Sequence, residues 1–91
     1  MSEHLLTFEL SEEKDELHVC ADVNGLDFLI QQLSRLREQM QTEESEHVHL
    51  FTEEWGGLEL SSESQIGEII NHVKIISWNP SPLPTKNIRT I

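Results

Sequence analysis

Apolar and polar residues alternate at the start of the chain. Over residues 5–10, Leu6, Phe8 and Leu10 fall on one side and Thr7 and Glu9 on the other, with only Leu5 out of step. A period of two is that of a half-buried strand. The polar run Ser11-Glu12-Glu13-Lys14-Asp15 turns the chain, and Leu17, Val19, Ala21 and Val23 then alternate with His18, Cys20 and Asp22. The two runs predict an antiparallel hairpin. From residue 24 the period changes: Leu26, Leu29, Ile30, Leu33, Leu36 and Met40 recur at three- and four-residue spacing, the apolar stripe of a helix running to about residue 41. Asn24 is its expected N-cap, and Asp27 an acid in the first turn, where the helix dipole favours one. Phe28 falls nearly opposite the stripe, on the face expected to see water, where it either covers a loop or the tail or meets a partner.

After a polar link over residues 42–45, residues 46–51 predict a third strand with Val48 and Leu50 on one face and His47, His49 and Phe51 on the other. Trp55-Gly56-Gly57 ends that segment; paired glycines permit positive φ, so they predict a sharp turn that aims Trp55 and the acids beside it. Residues 58–63 read as a short extended piece leading into a polar loop. Residues 69–78 predict a fourth strand, Ile69, Val73 and Ile75 alternating with Ile70, His72, Lys74, Ile76 and Trp78, with Asn71 interrupting the first face. The prolines at 80, 82 and 84 cannot continue a ladder. The expected architecture is α+β: an antiparallel sheet of about four strands with one helix on one face, in the order strand-strand-helix-strand-strand. It forms a single domain over residues 1–78, with a Pro-rich extended tail over 79–91. The expected core joins Leu26, Leu29, Ile30, Leu33 and Leu36 to Leu6, Phe8, Val19, Val48, Leu50, Val73 and Ile75.

Charge narrows the candidate ligands. Six basic against seventeen acidic residues give a net charge of −11. Residues 42–68 hold eight of the acids and no Lys or Arg, whereas from residue 69 onward there are only bases. Such a field repels phosphate backbones and anionic lipid and draws in basic partners, so neither nucleic acid nor a membrane surface is an expected ligand. The single cysteine, Cys20, allows no intrachain disulfide. With no basic-then-apolar leader and no apolar run near ~20 residues, the expected location is the cytoplasm.

No catalytic constellation stands out. Cys20 lacks a phosphate loop, a nucleophile elbow or any acid/base signature around it, and Glu53 and Glu54 are adjacent residues that point apart on an extended chain. No cofactor is expected. The alternation gathers His18, His47, His49 and His72 on the face away from the helix, so a metal site built from His47, His49 and His72 is one alternative reading. A solvated strand face carrying histidines without a ligand is the other. Protein binding has wider support: Trp55, Phe51 and Trp78 supply aromatic anchors, with Glu53, Glu54 and Glu59 as an acidic rim and Gly56 and Gly57 as the structural turn. A structural adaptor or homodimer using the open sheet face is a further alternative.

His47-x-His49-Leu50-Phe51-x-Glu53-x-Trp55-Gly56-Gly57, followed by residues 58–61 and by Gly67-x-x-Ile70-Asn71-His72-Val73-Lys74-Ile75, resembles the immunity protein thirty-two family of bacterial polymorphic-toxin systems. The resemblance covers roughly the second half of the chain, and the first half agrees with it in layout. It implies a small cytoplasmic protein that binds and neutralises a cognate toxin without catalysis of its own. The acidic field independently suits a basic toxin.

Overall fold

The computed structural model describes residues 3–40 and 45–78. The link at 41–44 and the proline-rich tail at 79–91 lie outside the described residues. Strands β1 (Leu6–Leu10) and β2 (Leu17–Ala21) precede the helix α1 (Val23–Gln39). Strand β3 (Ser45–Phe51), a single 3-10 turn (Glu53–Trp55), and strands β4 (Glu68–Ile69) and β5 (His72–Trp78) follow. β1 and β2 form the expected hairpin, Leu6 opposite Ala21 through Leu10 opposite Leu17.

The expected single sheet is divided in two. One has the order β2-β1-β4, and the other pairs β3 with β5. The division falls at Asn71. Ile70 still donates its amide to the Phe8 carbonyl at 2.8 Å, holding residues 68–70 beside β1. One residue later the Asn71 carbonyl accepts from the Thr52 amide at 3.0 Å, and its side-chain oxygen accepts from the Thr52 hydroxyl at 2.6 Å. The predicted fourth strand is thus two strands serving two sheets. The second runs antiparallel to β3, from Ser45 opposite Trp78 to Phe51 opposite His72.

The helix begins two residues earlier than expected. Asp22, not Asn24, is the N-cap: its carboxylate accepts from the Gly25 amide at 2.8 Å and from the Leu5 amide at 3.0 Å, so one side chain caps α1 and ties it to the entry of β1. The first turn holds no acid. Gly25 makes this close approach possible, because a Cβ there would collide with the Leu5 carbonyl oxygen.

With Gly25 against β1, the helix is rotated away from its predicted stripe. Leu36 is buried and Leu29 packs on the core, but Leu26, Ile30 and Leu33 are exposed. Phe28, expected in water, instead packs on the core and stacks on the His4 ring, centroids 4.9 Å apart. Val19 is also exposed. The buried centre is Leu6, Phe8, Leu50 and Leu60, with Ala21, Phe28, Leu29, Val48, Ile70, Val73 and Ile75 packed around it. It lies where the two sheets and α1 meet.

Candidate functional site

After β3 the chain bends sharply. The amides of Trp55 and Gly57 both donate to the Thr52 carbonyl, at 3.0 and 2.9 Å, and the Gly56 amide donates to Glu53. Gly56 closes the turn at φ 89°, the left-handed region that a side chain disfavours. Glu53, Glu54 and Trp55 are therefore displayed together on one rigid, exposed turn. Glu59 has a different place. Its carboxylate accepts from the Phe51 amide at 3.0 Å and its carbonyl from His4 at 2.7 Å, so it braces the turn from behind. Trp78 is exposed, but it sits at the far end of β5, opposite Ser45. It stands six positions along the strand from His72, about 20 Å at ~3.3 Å per residue. The two tryptophans are not brought together.

The outer face of β3 and β5 carries the histidines as the alternation predicts, except that His18 stands in the other sheet. Phe51 stacks on His72 with centroids 4.3 Å apart, His72 stacks on His49 at 5.0 Å, and His47 meets His49 edge-on at 4.9 Å. His49 Nδ1 and His72 Nε2 are 2.8 Å apart; one ring donates and the other accepts, which requires at least one to be neutral. Desolvation, then the charges of His47, His72 and Lys74, holds His49 below the ordinary imidazole pKa. These nitrogens face each other rather than a common point. Among the described residues no group of three or more His, Cys, Asp or Glu side chains is placed to hold a metal ion. The arrangement argues against the metal-binding alternative.

A groove of about 740 Å³ opens beside the turn. Glu3, Asp22, Glu53 and Glu63 wall it, and Leu5, Leu58 and Leu60 supply its apolar surface. Asp22 stays charged there, its pKa lowered by the Leu5 and Gly25 amides.

Sequence reasoning missed the residue that anchors the loop leading on from this groove. Glu9, read as the solvent side of β1, is completely buried. Its carboxylate accepts from the amides of Gln65 at 2.9 Å, Ile66 at 2.8 Å and Gly67 at 2.6 Å, and from the Thr7 hydroxyl at 2.5 Å. Burial works to raise its pKa, yet the Thr7 hydroxyl and the three amides outweigh it and bring the value down to about 2. The loop that carries Ser61, Ser62 and Glu63 into the groove is thereby pinned to β1. A glutamate at a polar strand position gives no signal of this, because its partners are backbone amides more than fifty residues away.

No curated protein and no solved structure matches the chain significantly. The profile of the family described as immunity protein 32 matches residues 16–73, from the end of the first hairpin loop into β5. The match extends the resemblance carried by the His-Leu, Trp-Gly-Gly and Asn-His segments back across β2 and the whole of α1. On this match over most of its length, together with its α+β fold, the chain belongs to the immunity protein 32 family, and is a non-enzymatic, immunity-type protein whose partner is a protein of a polymorphic-toxin system.

Proposed function

We propose that the partner is a basic toxin, met in the cytoplasm and neutralised through the surface around the Glu53–Trp55 turn. The groove beside that turn carries the reading: four carboxylates surround apolar side chains, and Leu58 stands 85% exposed at its edge. An aliphatic stem ending in an ammonium or guanidinium fits such a surface, with apolar contact along the stem and charge at its tip. Glu53, Glu54 and Trp55 make contact in this reading. Glu59 and Phe51 position them through the hydrogen bond that closes the turn, and Trp78 lies outside the contact surface.

Binding kinetics test it once the partner has been captured and identified. Replacing Glu53 and Glu54 by Gln should slow association about tenfold at low salt, with the difference shrinking as the Debye length falls below ~8 Å. Trp55→Ala should act on dissociation, weakening binding by about 2 kcal/mol, near thirtyfold, with circular dichroism unchanged. An acidic partner, or kinetics indifferent both to salt and to these substitutions, would sink the proposal.

A further inference from the structure

The groove beside the Glu53–Trp55 turn joins apolar surface to unneutralised charge. Leu5, Leu58 and Leu60 supply the first, and Glu3, Asp22, Glu53 and Glu63 the second. Among the described residues Lys14 pairs with Glu68, and none of the groove's four carboxylates has a Lys or Arg within ion-pair distance. The chain itself holds a segment of complementary chemistry. All seventeen acids lie in the first 78 residues, where only four bases face them, while residues 79–91 have no acid and carry the other two bases, Lys86 and Arg89. Ile88 stands between those bases, and Leu83 precedes them. That segment lies beyond the family match at residues 16–73 and has no part in the toxin contact proposed above.

We infer that residues 79–91 return to this groove and occupy it in the free protein, so that a toxin must displace them. Lys86 and Arg89 would meet its carboxylates, and Ile88 its leucines. Reach permits it. Trp78 stands opposite Ser45, and β3 runs from there to Phe51, about 20 Å at ~3.3 Å per residue, with Glu53 two residues further on. Lys86 and Arg89 follow Trp78 by eight and eleven residues, which is about 25 and about 34 Å at the ~3.1 Å per residue of the extended form that Pro80, Pro82 and Pro84 favour. Tethering supplies the rest. A segment held within range of its site acts at an effective concentration of about millimolar, enough for a two-charge contact too weak to survive between separate molecules. The inference rests on the proposed function for its consequence, a groove shielded until a more basic partner arrives, but not for its geometry.

Amide NMR of the full chain tests it without a toxin. Lys86→Gln combined with Arg89→Gln should shift the amides of Gly57, Leu58 and Glu63, with circular dichroism unchanged. Added salt should move the same amides of the natural chain in the same direction, and a synthetic peptide of residues 79–91, given to the double variant at about millimolar concentration, should move them back. With the toxin in hand, the double variant should bind it about two- to fivefold tighter than a control of equal net charge, Arg37→Gln combined with Lys74→Gln. A site closed for about half to four-fifths of the time loses that factor in apparent affinity. Groove amides that ignore the double substitution overturn the inference, as do shifts confined to the outer face of β3 and β5, which would seat the segment there. Shifts that grow with protein concentration, at twice the 10.5 kDa mass, overturn it too, giving the groove to the tail of a second copy. A toxin bound no tighter than by the control overturns the displacement. Unmoved amides with toxin binding still weakened by Trp55→Ala leave the proposed function standing; moved amides with a toxin indifferent to Glu53, Glu54 and Trp55 do the reverse.

Discussion

The sheet β2-β1-β4 is treated differently on its two faces. On one, Thr7 and Glu9 are fully buried, and a loop is fastened over them by a carboxylate holding three successive amides. On the other, a helix of seventeen residues buries Gly25 and Leu36 but leaves Leu26, Ile30 and Leu33 in water. The polar face is closed and the apolar face is left partly open. Directional bonds fix a unique geometry because a buried acceptor without donors is heavily penalised. Apolar contact is non-directional, so a helix with a wide apolar surface can dock on part of it. Here the Asp22 cap and the Gly25 approach to Leu5 decide which part.

The largest expected effect lies on the closed face. Glu9→Ala removes the buried carboxylate that three backbone amides and the Thr7 and Ser64 hydroxyls share as acceptor, and should destabilise by about 3–5 kcal/mol or prevent folding. Chemical denaturation measures it. Glu9→Gln should recover part of the loss, because its one side-chain oxygen can accept where two did before. A Glu9→Ala protein as stable as the natural chain would mean that the loop is held by other contacts.

On the open face, the two halves of the helix's apolar surface should separate by substitution. Leu36→Ala, at a site 5% exposed, should lose about 2–4 kcal/mol through lost burial and a cavity. Leu33→Ala, at a site 43% exposed, should lose less than about 1 kcal/mol. Equal losses at both positions would return the helix to the orientation that its periodicity suggests.

That pair of leucines marks where the sequence stopped being informative. The hairpin, β3 and the strand-strand-helix-strand-strand order were legible, since each strand has one polar and one apolar face and the period of two reveals it. The histidine face of β3 and β5 was legible for the same reason. The helix rotation was not, because seven apolar residues and a glycine occupy more than half its circumference and the sequence does not show which arc meets the sheet. Phe28 was misplaced by the same ambiguity. Asn71 was read as an interruption, but its consequence, two sheets in place of one, depends on Thr52, nineteen residues earlier. At the candidate site, Gly56 marked the turn that displays Glu53, Glu54 and Trp55. Nothing in the sequence showed that Trp78 ends far from them or that Glu59 braces the turn.

Acid should probe the closed face selectively. Glu9 titrates near 2 in the folded chain against 4.5 for the ordinary group. A depressed carboxylate contributes stability that is complete above pH 4.5 and is lost as pH falls toward 2, because the unfolded chain takes up the proton first. Urea midpoints measured from pH 6 to pH 2 should therefore fall most steeply below 4.5, and Glu9→Gln should flatten that limb. His49, also depressed, has the same sign over a higher window: its contribution is complete above 6.5 and declines below it. His49→Gln should remove that shallower slope and leave the acid limb intact. A single slope unaffected by either substitution would mean that neither group is linked to folding.

The smallest effect distinguishes buried from exposed charge within the closed region itself. Lys14 at the hairpin tip donates to Glu68 of β4 at 2.7 Å, joining the two ends of the sheet across β1, but both side chains are more than 60% exposed. Lys14 also sits at φ 61°, in the left-handed region. Water already solvates both charges, and the gain from pairing is offset by fixing two long side chains. Lys14→Gly removes the ion pair while relieving the backbone of a residue with a side chain at positive φ. The two changes oppose each other, so the denaturation midpoint should stay where it is, at low and at high salt alike. A marked loss at low salt that vanishes at high salt would show that exposed charge, and not only the buried Glu9 carboxylate, fastens this face.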